Sequence, residues 1–165
     1  MAIRIRMRPA PTVRRHEFMV KGSPVSVNRY GHSQYRNWRS TVYTASIPTP
    51  PTWSGSLFAG ECSVRIRYFL VRDRIKDVDN ILKAILDALD GKISGHIRHA
   101  DSVITDDRHV ELVMCQRTNL GLSARIDGRR LRRQEYAALL HARRGQAAVY
   151  VHVHNAPDHG VSIGR

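Results

Sequence analysis

Strict alternation of apolar and polar residues marks the segment from Glu61 to Val71 as a β-strand. Its apolar positions are Cys62, Val64, Ile66 and Tyr68, and Ser63, Arg65 and Arg67 lie between them. Successive side chains of a strand point to opposite faces, so this pattern predicts a strand with one buried and one wetted face. Further strand patterns occupy residues 16–28, which end in a turn with Gly22 and Pro24, and residues 146–154. Residues 102–117 predict two short strands split by a polar corner at residues 106–108.

Two segments show the period of an amphipathic helix instead. Residues 33–47 carry Tyr35, Trp38 and Val42 at helical spacing, with Ser33 as the predicted N-cap. Residues 129–144 form a basic pattern that places four apolar residues on one side: Leu131, Tyr136, Leu139 and Leu140.

A third helix is predicted between Asp79 and Gly91. Its apolar stripe consists of Ile81, Leu82, Ile85, Leu86 and Leu89. Asp79 is a suitable capping residue at its start, and Gly91 is suited to end it.

The mixture of elements predicts an α+β fold, with one small mixed β-sheet and helices packed on one face. Residues 16–156 are predicted to form a single domain, with the helix of residues 129–144 inserted before the last strand. Residues 1–15 are read as a basic arm or an edge strand, and residues 157–165 as a frayed tail.

Charge indicates the kind of partner. Lys and Arg number 27 against 14 Asp and Glu, a formal net charge of +13 over 165 residues. Such an excess attracts polyanions, of which nucleic acid is the commonest, although a basic protein with no such partner is the alternative. No stretch is apolar for long enough to span a bilayer, so no membrane partner is expected. Cys62 and Cys115 lack a CxxC pairing, which is typical of reduced thiols in a cytoplasmic protein.

The scarce acids gather around the third helix. Asp77 and Asp79 precede its apolar stripe, and Asp106 and Asp107 follow the short apolar run "VIT" at a polar corner. A strand end packed beside a helix start would bring these carboxylates together, where mutual repulsion favours a cation between them. Mg²⁺ takes oxygen ligands of this kind and assists phosphodiester hydrolysis, and a nearby lysine can stabilise developing charge.

A purely structural interpretation accounts for the same residues. Asp79 can cap the helix, Lys83 and Asp87 can pair four residues apart, and Asp106 with Asp107 can form a tight turn. Spacing alone does not decide between the two interpretations.

The order of the motifs resembles the RusA-type Holliday-junction resolvases, small dimeric Mg²⁺-dependent endonucleases of phages and bacteria. That family carries D-x-D-N-x-x-K, then a Leu-Asp-Ala-Leu helix, then an apolar run that ends in D-D. The corresponding segments here are "DVDNILK" from Asp77 to Lys83, "ILDAL" with Asp87, and "VITDD" with Asp106 and Asp107. The similarity spans roughly residues 18–117 and includes "KGSPVSVNRY" near the N-terminus; residues 147–154 fit the closing strand.

The resemblance implies a role for each matched residue. Asp77, Asp79 and Asp107 would bind the metal and be essential for cleavage, and Asp106 would contribute beside them. Lys83 would be the catalytic lysine near the phosphate, Asn80 would hold the local turn, and Asp87 would support Lys83. The implied cofactor is Mg²⁺, with Mn²⁺ as a substitute. The implied substrate is branched DNA, a four-way junction cut by paired nicks, and the implied assembly is a homodimer.

Basic residues near these motifs are candidates for contacts with DNA phosphates, which position a protein without reading sequence. They are Arg65, Arg67, Arg72, Arg74 and Lys76, leading from the strand towards the acids, and Arg129, Arg130, Arg132 and Arg133 at the inserted helix. Alternatively these side chains form solvated surfaces.

The chain departs from the family pattern in two places, a longer link between Leu89 and Asp106 and the inserted helix at 129–144. These departures leave substrate preference and the dimer interface open. The prediction is a cytoplasmic, structure-selective endonuclease of DNA recombination and repair. The alternatives are a non-catalytic basic module that binds nucleic acid, and a less selective flap or nicking nuclease.

Overall fold

A computed structural model describes residues 14–26, 28, 32–48, 53–71, 77–94, 97–121, 126 and 128–156, and the fold in this part of the chain is α+β, as predicted. The elements are β1 (Arg15–Lys21), α1 (Ser33–Ser46), β2 (Ser56–Phe58), β3 (Cys62–Leu70), α2 (Val78–Leu89), β4 (Lys92–Ser94), β5 (Ile97–Arg98), β6 (Ser102–Ile104), β7 (Val110–Asn119), α3 (Arg133–Arg143) and β8 (Ala148–Asn155). The predicted arm lies outside the described residues up to residue 13, and the predicted tail lies wholly outside them.

The main sheet has the strand order β1-β8-β3-β7. β8 runs antiparallel to both β1 and β3, whereas β3 and β7 are parallel. Parallel neighbours need a crossover connection, and α2 lies in the segment that joins them. The short strands form two accessory pairs, β2 with β6 and β4 with β5.

The larger core lies on the face of the sheet that α1 and α2 cover. It combines Tyr35, Trp38 and Val42 of α1 with the apolar stripe of α2, which confirms both predicted helix faces. The sheet contributes alternate residues of β3 and β8: Val64, Ile66, Tyr68, Leu70, Val149, Val151 and Val153.

A second core lies on the opposite face, under α3. Leu139 and two alanines of this helix pack on Phe69, Ala148 and Tyr150. The prediction that all helices lie on one face is therefore wrong. The reason is that β3 and β8 are apolar on both faces near one end, so the alternation seen in Glu61–Val71 stops at Phe69 and leaves an apolar patch that α3 covers.

Several predicted boundaries differ from the structure. His32, rather than Ser33, occupies the N-cap of α1, and Asp77, rather than Asp79, that of α2. α3 begins at Arg133, later than predicted, after a 3-10 turn at Gly128–Arg130. The long link between Leu89 and Asp106 contains the β4–β5 pair and β6. Gly91 does end α2, with a φ of 78°.

The predicted apolar side of the last helix is also corrected. Tyr136 and Leu140 are 43% and 37% exposed, because the buried face of α3 is formed by Glu135, Ala138, Leu139 and Ala142.

Cys62 and Cys115 are both free thiols, as predicted. Of the helices described, none has the length and apolarity needed to cross a bilayer.

Candidate functional site

The polar edge of α2 carries three of the predicted site residues. Asp79, Lys83 and Asp87 follow one another at intervals of four residues, so they lie along one side of the helix. Asp77 and Asp79 are exposed at the N-terminal end, where the helix dipole favours negative charge. Asn80 is buried behind them. The opposite edge of α2 packs into the large core, which fixes the orientation of this polar edge.

Lys83 connects α2 with the turn that precedes β7. Its Nζ lies 2.6 Å from Oδ1 of Asp87 and 3.7 Å from Oδ2 of Asp107. Asp107 is the first residue of a 3-10 turn, Asp107–His109, which leads directly into β7. The Lys83 side chain is 46% exposed, so this ammonium group faces solvent between the two carboxylates. The structure therefore joins the "DVDNILK" and "VITDD" segments at a charged contact.

Asp87 is a buried carboxylate with several donors. Besides Lys83, it faces the Tyr35 hydroxyl at 3.4 Å and the Arg39 guanidinium at 3.6 Å. Arg39 is itself buried and stacks over the Tyr35 ring. A carboxylate enclosed in this way holds Lys83 in place, and the predicted Lys83–Asp87 pair is present.

Asp106 is turned towards its neighbour Arg108. Its carboxylate accepts hydrogen bonds from Nε and NH2 of Arg108 at 3.1 and 2.8 Å and from the Arg108 backbone N–H at 3.0 Å. These bonds, with the side-chain bond dominant, hold the pKa of Asp106 well below its usual range. Asp106 thus shapes the turn before β7, as the structural interpretation predicted.

Asp90 belongs to the same charged region, although the sequence did not single it out. Its side chain is fully buried, with Lys92 Nζ at 2.5 Å and an ion pair to Arg98. The hydrogen bond to Asp90 raises the pKa of Lys92, and the charges of Asp107 and Asp106 add to the effect. An acid at the C-terminal end of a helix opposes the helix dipole. The position of Asp90 immediately before Gly91, at the predicted helix end, was the sequence signal that could have identified it.

The carboxylates of Asp77, Asp79, Asp87 and Asp90 are spread along α2 from its N-cap to its C-cap. Across the described ranges, no group of three or more His, Cys, Asp or Glu side chains lies close enough together to hold a metal ion. Mg²⁺, however, often binds through one or two carboxylates, retaining several waters and taking substrate phosphate as a further ligand. Asp107, 30% exposed beside Lys83, and the exposed Asp79 one helical turn from Lys83 supply oxygen donors of the kind that ion prefers.

The predicted DNA contacts divide into three groups. Arg72, Arg74 and Lys76 lie outside the described residues, as does the side chain of Arg129. Arg130, Arg132 and Arg133 are exposed at and before the start of α3. Arg65 and Arg67 belong to β3, and their side chains point to the face opposite α2.

Arg67 is a structural residue of that face. It forms an ion pair with the buried Glu135 of α3 at 2.6 Å, and its NH2 donates to Gln116 at 2.9 Å. The predicted stripe of arginines running along β3 to the acids therefore does not lie on the face that carries α2. Arg65 remains exposed.

No model of a protein family matches this chain, and no curated protein sequence matches it either.

Proposed function

We propose that the protein is a Mg²⁺-dependent DNA endonuclease of the RusA type that acts on branched junctions. The observation that carries the proposal is the 3.7 Å approach of Lys83 to Asp107. The two residues belong to separate motifs of the resemblance, a helix motif and a D-D motif, and a common site requires that they meet. The formal charge of +13 supports a polyanionic substrate.

The residues have distinct tasks in this proposal. Asp107 and Asp79 would hold the divalent ion, with Asp77 at the helix start as a further donor. The ion, when bound, would neutralise charge on the scissile phosphate and activate water for hydrolysis. The Lys83 side chain is 46% exposed beside Asp87 and Asp107, so its ammonium group can bind the phosphate and stabilise the developing negative charge. Asp87 keeps this ammonium group in position through their 2.6 Å contact.

The substrate and the assembly follow from the resemblance. A homodimer with two such sites would nick paired strands of a four-way junction, and the exposed Arg130, Arg132 and Arg133 are candidates for backbone phosphate contacts. Two free thiols agree with a cytoplasmic location.

A non-catalytic module that binds nucleic acid is the second candidate. It is favoured by the way in which the acids are already neutralised by bases, as Asp90 is by Lys92 and Arg98. In that case Lys83, Asp87 and Asp107 form a structural network, and the basic surface alone binds DNA.

Cleavage of a synthetic four-way junction, compared with linear duplex and flap DNA, tests the proposal. We expect nicking of the junction with Mg²⁺ and none with chelator. Equal rates on junction and flap DNA would instead identify a less selective nuclease. Binding without cleavage under all metal conditions would identify the non-catalytic module.

Asp107→Asn separates chemistry from binding. We expect this variant to lose cleavage by at least about a hundredfold, since a metal ligand is lost, while junction binding is retained or tightened by the removal of a negative charge. Asp101→Asn, a change of the same kind at a carboxylate that accepts from the Gly55 backbone N–H, is the matched control and should retain cleavage. Wild-type cleavage by Asp107→Asn would refute the assignment.

A further inference from the structure

A second site lies on the opposite face of the sheet, beside α3. α3 covers only the end of this face that contains Phe69 and Tyr150. At the other end, three strands in register present two rows of side chains, His154–Ser63–Leu112 and His152–Arg65–Met114. Together with Arg132 at the start of α3, these residues line an open cleft of about 270 Å³.

Two residues that line this cleft each carry a buried polar atom without a partner. Within the described part of the chain, neither Oγ of Ser63 nor Nε2 of His152 has a hydrogen-bond partner. The residues are only 2% and 6% exposed. Buried polar groups in folded proteins are nearly always paired, because an unpaired one loses its hydrogen bonds to water without replacement. Both residues line the same cleft, so a ligand with polar atoms that binds there would supply the missing partners.

The charge around the cleft is positive. Arg65 and Arg132 line it, and Arg15 follows on β1 in the same row as His154. Burial, followed by the positive charges of Arg132, His154, Arg65 and Arg15, lowers the pKa of His152 to about 4. Nδ1 of His154 donates to the Asn155 carbonyl at 2.8 Å. The nearby acids are already bound: Glu135 pairs with Arg67, and Glu17 accepts from Tyr150. The cleft is therefore suited to an anion.

One side of the cleft is apolar. Leu112 and Met114 of the edge strand β7 are 49% and 47% exposed. They form the apolar end of the two rows, beside Ser63 and Arg65. A ligand that fits this surface has an anionic end and a flat or apolar body. Two guanidinium groups, a hydroxyl group and a neutral imidazole offer more donors than a carboxylate can accept, whereas a phosphate monoester has three terminal oxygens.

We propose that the cleft binds a phosphate monoester carried on an aromatic body, as in a nucleoside monophosphate or a 5′-phosphorylated DNA end. The phosphate contacts Arg65, Arg132, Ser63 and His152, and the ring lies on Leu112 and Met114. This site is separate from the polar edge of α2, and its existence does not depend on nuclease activity.

Titration of the ¹⁵N-labelled full chain, followed by NMR, tests the proposal. Adenosine 5′-monophosphate is expected to shift the amide signals of Ser63, Arg65 and His152, and to bind about tenfold more tightly than inorganic phosphate, because the ring adds apolar contact. Adenosine and acetate at equal concentrations should leave these signals unchanged. Equal responses to acetate or adenosine would overturn the assignment of a phosphate monoester.

Arg65→Gln should weaken binding of the nucleotide by about tenfold or more, which corresponds to the loss of a charged hydrogen bond. Arg36→Gln removes the same charge from an exposed position on α1, across the sheet, and should leave the affinity unchanged. If both variants weaken binding equally, the effect is diffuse surface charge and the site does not exist. Ser63→Ala provides a second test that leaves the net charge intact and should weaken binding several-fold.

Short DNA strands distinguish the two sources of the phosphate. A 5′-phosphorylated strand that shifts the cleft signals, when its 5′-hydroxyl counterpart does not, identifies a DNA end as a ligand. A response to the free nucleotide alone identifies a small-molecule site. Equal shifts with both strands would mean that the cleft binds internal backbone phosphates, contrary to the proposal.

Discussion

Lys83 Nζ on α2 lies 3.7 Å from Oδ2 of Asp107, the first residue of the turn before β7. The contact is a consequence of topology. β3 and β7 are parallel neighbours, so the helix between them returns along the sheet and brings its polar edge beside the start of β7. The same helix carries Asp77 at its N-cap and Asp79 in its first turn, one turn before Lys83.

Lys83→Met tests whether this ammonium group serves catalysis or folding. We expect junction cleavage to fall by about a hundredfold or more, because a charge near the phosphate is lost. The free energy of unfolding should fall by only about 1–3 kcal/mol, because Asp87 retains Tyr35 and Arg39. Cleavage and urea unfolding are measured in parallel, with Lys83→Arg as the charge-conserving control. An unaltered cleavage rate in Lys83→Met would assign the residue to stability alone.

Gly91→Ala should destabilise the protein more than Gly145→Ala. Both glycines have positive φ, 78° and 86°, so each substitution incurs a conformational cost of about 1–2 kcal/mol. At Gly91 the new Cβ would also meet the His99 carbonyl oxygen at 3.0 Å, whereas nothing lies within 4 Å at Gly145. Urea unfolding of the two variants measures the difference. Equal losses would show that the backbone around His99 moves freely.

The Arg67–Glu135 pair should attach α3 to the sheet. Glu135→Gln removes the charge that balances Arg67 at 2.6 Å, and we expect a loss of about 3 kcal/mol in the free energy of unfolding. The double variant Arg67→Met/Glu135→Leu should recover much of this loss, since apolar replacements of buried ion pairs are often neutral. If the double variant loses as much free energy of unfolding as Arg67→Met and Glu135→Leu lose together, the two residues do not form a specific pair.

His152 should make the stability depend on pH between about pH 4 and 6.5. Its folded pKa is lowered from 6.5 to about 4, chiefly by burial, so the unfolded chain binds this proton first as the pH falls. The free energy of unfolding should therefore decrease through this window, by at most about 1.4 kcal/mol per pH unit for one proton. His152→Asn should show a shallower slope. His16, whose pKa is also lowered by burial, leaves a residual slope of the same sign. Parallel slopes in variant and wild type would mean that His152 titrates normally.

The sequence predicted the elements whose signal is local. The alternation along β3 up to Tyr68 and the apolar stripe of α2 were correct because these apolar residues all face the larger core. The position of α3 was not predictable, because it depends on Phe69 and Tyr150 from two other strands and on Arg67, which looked like a solvated or DNA-binding residue. The sequence of one segment does not indicate which distant residue will pair with a charged side chain in it.

The charged site was predicted only in part, because some of its contacts are local in sequence and others join distant segments. The Lys83–Asp87 pair follows from helical spacing and is present. The burial of Asp90 between Lys92 and Arg98 depends on the β4–β5 pair, whose sequence resembles a loop. The cleft beside α3 was missed because its residues come from three strands and a helix start, and only the register brings them together.

The order of the sheet constrains when the protein can fold. Among the strands of the described residues, β1 pairs with β8 alone, and β8 joins β1 to β3. A nascent chain on the ribosome therefore cannot assemble the sheet until Ala148–Asn155 has emerged, and both cores wait for the same eight residues. Such distant pairing slows folding. Translation that stalls before residue 148 would leave β1 and β3 with open edges, which are the surfaces that chaperones must protect.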